Sequence, residues 1–109
     1  MLKRKYRLSA GNRLQQPSVI HTQFFTLNVA KSSLPYNRYG FVISKKIDKR
    51  ASVRNKAKRK LRWCVEKIQE RVPGGHDMIF YLKKNVIQTP SSTLCSQMEH
   101  IFKKEKLLI

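Results

Sequence analysis

The sequence predicts an α/β (α+β) two-layer sandwich, a small sheet with packed helices. Three observations lead there. Strand-like and helix-like stretches alternate in the order β-β-α-β-α. One of them, residues 51 to about 71, has a clear helical apolar period. Hydrophobic residues make up 40% of the 109, enough for one modest core and too little chain for a second. Residues 1–109 therefore read as a single domain, with a basic N-terminal segment at 1–18 and a basic loop and helix at 45–71.

The elements follow in chain order. Residues 1–18 are basic and polar, broken by Gly11 and Pro17; Ser9 is a candidate N-cap for a short turn through Gln16. Ile20 to Val29 alternates, with Phe25, Leu27 and Val29 on one face and Thr22, Phe24, Thr26 and Asn28 on the other, the pattern of one half-buried strand. Lys31 to Asn37 carries Ser32, Ser33 and Pro35 and reads as a loop. Tyr39 to Ser44 is a second strand, expected to form a hairpin with the first. In the helix, Val53, Ala57, Leu61, Cys64 and Ile68 fall within an arc of about 80° at 100° per residue. Pro73-Gly74-Gly75 ends it. Asp77 to Leu82 is apolar at nearly every position, as a central strand covered on both faces would be. Thr89-Pro90 reads as an N-cap followed by proline at the first helical position, and Leu94, Met98, Ile101 and Phe102 form the stripe of the second helix.

Charge narrows the function. Lys plus Arg number 24 against 6 Asp plus Glu, a net +18. On so small a body this is costly self-repulsion unless a polyanion neutralises it. Nucleic acid is the partner it implies, ahead of an anionic membrane surface; the apolar runs are too short to span a bilayer. The basic start Met1 to Lys5 is followed by no apolar stretch, so it is not a secretory signal, and a cytoplasmic protein is expected. Asp48, Glu66, Glu70, Asp77, Glu99 and Glu105 form no pair suited to acid–base work or to holding two metals, so no catalytic or metal site is expected in the chain. His21, His76 and His100 share no ligand spacing. Cys64 and Cys95 lie in no CxxC pattern and read as reduced, small apolar residues.

Between Lys45 and Arg62, ten of eighteen residues are Lys or Arg, with one acid, Asp48. On the helical wheel Arg54, Asn55, Lys58, Arg59 and Arg62 spread across an arc away from the apolar stripe, giving one dry face and one cationic face. A face kept only for solubility usually mixes signs; this one is nearly all positive. Arg offers forked phosphate contacts and Lys a point charge. Asn55, uncharged among cations, can read a base edge, a sugar hydroxyl or a phosphate. Trp63 flanks the stripe and reads as cover for the core edge, with RNA stacking as the alternative.

Gly40-Phe41-Val42-Ile43-Ser44-Lys45-Lys46, followed by Arg50 through Arg62, resembles the protein-subunit family of bacterial ribonuclease P. That family carries a strand with Gly, apolar residues and a Lys-Lys pair, then a loop and a helix with an Arg-Asn-Arg motif, a Lys-Arg pair and a further Arg. Here these are Lys45, Lys46, Arg50, Arg54, Asn55, Lys56, Lys58, Arg59 and Arg62, with Lys56 in place of the second Arg of the motif. The likeness covers residues 37 to 104, approximately. It implies a fold resembling the second domain of ribosomal protein S5, with a left-handed β-α-β crossover. It implies a partner, the catalytic ribonuclease P RNA, and a task, assisting that RNA in freeing the mature 5′ end of precursor tRNA. Mg²⁺ would be held mainly by the RNA, and the 5′ leader would be met by a cleft beside the sheet. The family's N-terminal helix with spaced Phe residues has no counterpart in Ser9 to Gln16, which leaves Phe24 and Phe25 as candidate stacking residues for the leader. A non-enzymatic RNA-binding module, such as a small ribosomal protein, is the alternative that charge and size also suit.

Overall fold

The computed structural model describes residues 3–8, 14 and 16–108. The turn expected over Ser9 to Gln16 falls mostly outside them. The chain forms β1 (Ser18–His21), β2 (Phe25–Lys31), β3 (Arg38–Val42), α1 (Ala51–Ile68), β4 (His76–Leu82) and α2 (Ser91–Lys104), with single 3-10 turns at Arg4–Tyr6, Gln69–Arg71 and Lys84–Val86. The strands make one mixed sheet in the order β1-β2-β4-β3.

The expected strand at 20–29 is two strands. Thr22 makes the bend between them: its Oγ1 donates to the Phe25 carbonyl at 2.7 Å and accepts from the Phe25 N–H at 3.0 Å. A hydroxyl that turns the chain this way leaves no Gly or Pro in the sequence to mark it. The expected hairpin between the second and first strands does not form. β4 lies between β2 and β3, antiparallel to β2 and parallel to β3. Parallel neighbours need a crossover, and α1 supplies it. Thr89 does not cap α2 either. Its hydroxyl donates to the Asn85 carbonyl at 2.6 Å, and Pro90 occupies the N-cap position.

Both helices pack on one face of the sheet. Phe25, Leu27 and Val29 of β2, Met78, Phe80 and Leu82 of β4, and Tyr39 and Phe41 of β3 supply the floor. Ala57, Leu61, Cys64, Val65 and Ile68 of α1 and Leu94, Met98 and Phe102 of α2 cover it. Phe80 sits at the centre, edge-on to Phe25 at 5.1 Å and stacked on Phe41 at 5.2 Å and Phe102 at 6.3 Å between ring centroids. The other face of the sheet is partly covered at Gly40, against which the buried Leu8 lies; the Leu8 N–H donates to the Tyr39 carbonyl at 2.7 Å.

The cysteines correct another expectation. Cys64 of α1 and Cys95 of α2 form a disulfide, with Cα atoms 4.8 Å apart. Nothing local in the sequence pairs positions 31 residues apart; the docking of α2 along α1 does.

At the far end of α1, Asn37 is buried and holds three segments together. Its amide donates to the Pro73 carbonyl at 3.0 Å and to the Tyr39 hydroxyl at 3.2 Å, and its oxygen accepts from the His76 N–H at 2.8 Å. A Cβ on Gly74 would run into the Pro35 carbonyl oxygen, so this close approach requires glycine.

Candidate nucleic-acid interface

The basic segment is assembled at the end of β3. Residues 43–50 form a loop that delivers the chain into α1, and one carboxylate organises it. Asp48 accepts from the Arg50 backbone N–H at 2.9 Å and from both arms of its guanidinium, at 3.0 and 2.8 Å. These bonds from Arg50 hold the Asp48 carboxyl down at about 2. Arg54 reaches back from the first turn of α1 and donates to the Asp48 and Lys49 carbonyls at 3.0 and 2.8 Å. Arg50 and Arg54 thus spend donors on the loop. Lys45 and Lys46 stand exposed on it.

Along α1 the cations divide by environment. Lys58 and Arg62 are half-buried. The Arg62 guanidinium lies 5.5 Å from the Phe41 ring centroid. Burial there, together with Arg7 nearby, lowers its pKa from the ordinary arginine value. Lys60 faces inward, donating to the Val86, Ile87 and Thr89 carbonyls at 3.1, 2.8 and 3.0 Å. It counts in the sequence's run of positive charge but serves the fold. Asn55, Lys56 and Arg59 are exposed. The nine cationic and amide positions marked out in the sequence therefore come together on one loop and one helix.

Phe24 and Phe25 do not join them, and the expectation that they stack on a leader is corrected. Phe25 is 0% and Phe24 6% exposed, because the bend at Thr22 turns both into the interior. The sheet face away from the helices offers a different ring. Tyr81 of β4 is 39% exposed there, in a row across the sheet with His21, Thr26 and Val42. The sequence hid it, since β4 is apolar at almost every position and shows no alternation. Trp63 does not cover the core edge either; it is 44% exposed. Its position about 160° around the helix from Leu61 was the signal that could have found it.

Among the described residues no three His, Cys, Asp or Glu side chains cluster to hold a metal. No helix among them is long and apolar enough to cross a membrane.

A small α+β protein that presents one cationic helix over a packed sheet is a protein built to sit against a nucleic acid. The chain belongs to the Ribonuclease P family, whose model matches residues 2–106. It is a protein component of that ribonucleoprotein endoribonuclease. The relatives agree. The ribonuclease P protein component of Geobacillus kaustophilus is 28% identical over 108 residues, covering 94% of this chain and 88% of its own. That of Bacillus cereus strain 03BB102 is 27% identical, covering 94% and 93%. The fold matches the Staphylococcus aureus RNase P protein with a TM-score of 0.82, 20% identity and coverage of 95% and 98%. It matches that of Thermotoga maritima with a TM-score of 0.73, 22% identity and coverage of 82% and 84%.

Proposed function

We propose that the chain binds the catalytic RNA of ribonuclease P through Lys45, Lys46 and the solvent side of α1, and meets the 5′ leader of precursor tRNA on the open face of the sheet. The observation that carries this reading is the exposed helix surface of Asn55, Lys56 and Arg59 standing beside the Lys45-Lys46 loop. Cations neutralise phosphates, and an uncharged amide among them supplies a contact that charge alone does not. The two surfaces lie on opposite sides of the molecule, since α1 packs on the sheet face that Tyr81 does not share. One protein can then touch the catalytic RNA and its substrate at once.

Tyr81, and not the buried Phe24 or Phe25, offers the ring on which the leader can stack. An exposed phenol ring on a sheet stacks on an unpaired base without reading its identity. The chain's donor set does not fit a protein-held Mg²⁺, because among the described residues no three His, Cys, Asp or Glu side chains cluster, and three of the six carboxylates are engaged by arginines. Asp48 binds Arg50, Asp77 binds Arg38 and Glu99 binds Arg71. We therefore place the Mg²⁺ and the cleavage chemistry with the RNA, in the cytoplasm where precursor tRNA is processed.

Reconstitution tests this. Added to a bacterial ribonuclease P RNA at low Mg²⁺, the protein should stimulate 5′ cleavage of precursor tRNA, and alone it should cleave nothing. Arg59→Ala should weaken RNA binding and lower the slope of log K against log salt by about one phosphate contact, ~0.7 to 0.9. No stimulation with a cognate RNA, or an unchanged slope, overturns the respective claim.

A further inference from the structure

We infer that Trp63 is a base-stacking residue for the catalytic RNA, and that Asn55, Arg59, Trp63 and Lys67 form one continuous contact ridge along α1. This rests on the ribonuclease P reading above and adds a site to it.

Residues four apart lie in one inclined row on a helix, and this row runs for about 18 Å at 1.5 Å per residue. All four of its members are exposed. The neighbouring row, Arg54, Lys58, Arg62 and Glu66, is half-buried throughout. The crest of α1 is therefore the Asn55-to-Lys67 row. It presents an amide, a guanidinium, an indole and an ammonium in succession.

Each member supplies a different part of nucleotide recognition. The amide can pair with a base edge or a sugar hydroxyl, and the guanidinium forks onto phosphate. The indole offers the one thing the cations cannot, a flat apolar surface for a base. The Lys67 ammonium lies 4.0 Å from the Trp63 ring centroid. It steadies the ring from one face, so that a base would stack on the other, and adds a positive charge beside the indole for the nucleotide's phosphate to meet.

The surroundings select the occupant. From Lys56 to Lys67 there are six cations and one acid, Glu66. That field favours a polyanion and disfavours a basic or neutral protein groove. An aromatic ring set in it points to an unpaired base within a polyanion, which is an RNA loop or bulge. The 5′ leader is assigned to the opposite side of the molecule, so the ligand here is the catalytic RNA.

Trp63 is the sole tryptophan of the chain, which makes it its own reporter. The wild-type protein is titrated with a bacterial ribonuclease P RNA, with a single-stranded leader oligonucleotide, and with heparin, which carries charge but no bases. Stacking predicts that the ribonuclease P RNA cuts the emission by half or more and shields it from acrylamide. Heparin and the leader should leave the emission nearly unchanged. Trp63→Leu should weaken binding of the ribonuclease P RNA about tenfold with an unaltered salt slope, and Trp63→Phe should recover most of that loss. Circular dichroism of both variants confirms that the helix is intact. Unquenched emission in a complex that still stimulates cleavage overturns the stacking site and leaves the function standing. So does a Trp63→Leu variant that binds as tightly as wild type. Failure of the wild-type protein to bind the RNA at all overturns both.

Discussion

Leu61 and Asn55 sit less than two turns apart on α1 and answer to different partners. Leu61 is fully buried among sheet and helix side chains, while Asn55 is exposed. Leu61→Ala should cost about 2 to 5 kcal/mol by removing packed methyl groups and leaving a cavity. A thermal melt reads this directly. Asn55→Ala should leave the melting temperature almost unmoved and weaken RNA binding, because a polar group on the RNA loses its partner. Binding isotherms at two salt concentrations should show the same slope as wild type, since no charge is removed. Asp48 gives a residue-scale prediction in pH. Its folded pKa lies at about 2, below the ordinary 3.8, so it favours the folded loop while ionised. That contribution is whole above about pH 4 and is lost as pH falls through about 2. A carboxyl titration followed by NMR should place the Asp48 midpoint near 2, and Arg50→Ala should raise it.

Among the elements, α1 was the most legible, because five apolar residues at steps of three and four leave one face for the core. Its cationic loop and surface were legible with it. β1 and β2 were not separable, because the bend between them is made by the Thr22 side chain. The place of β3 was not legible either. Local pattern reports strand character, whereas the choice of β4 over β2 as its neighbour depends on where α1 carries the chain. The disulfide belongs to the same class of fact, since it exists only once α1 and α2 are docked. In the usual chain-entropy picture, closing a loop across 31 residues stabilises the fold by roughly 3 to 4 kcal/mol. Treatment with a dithiol should therefore lower the melting temperature by many degrees. RNA affinity should stay unchanged below that transition, because Cys64 lies on the side of α1 opposite Arg59. A thiol assay on the unfolded, unreduced protein should find no free sulfhydryl.

At the scale of the whole molecule, the sheet order has a consequence in time. A chain is made from its N-terminus, and β4 is the strand on which both β2 and β3 depend. When Gly75 has been added, β1, β2, β3 and all of α1 have been synthesised, yet β2 and β3 still lack the strand that joins them and α1 lacks the middle of its floor. Phe25 and Phe41 then lack Phe80 between them, and Leu61 has no complete floor. The cationic ridge thus exists as sequence before it exists as a surface. A chain ending at Gly75 should show neither a cooperative melt nor the far-ultraviolet signal of a settled helix. Extending it through α2 should restore both. During synthesis, then, a polycation passes unfolded beside the ribosome's own RNA. It becomes a shaped ligand for a different RNA only when the seven residues of β4 slide between strands made earlier.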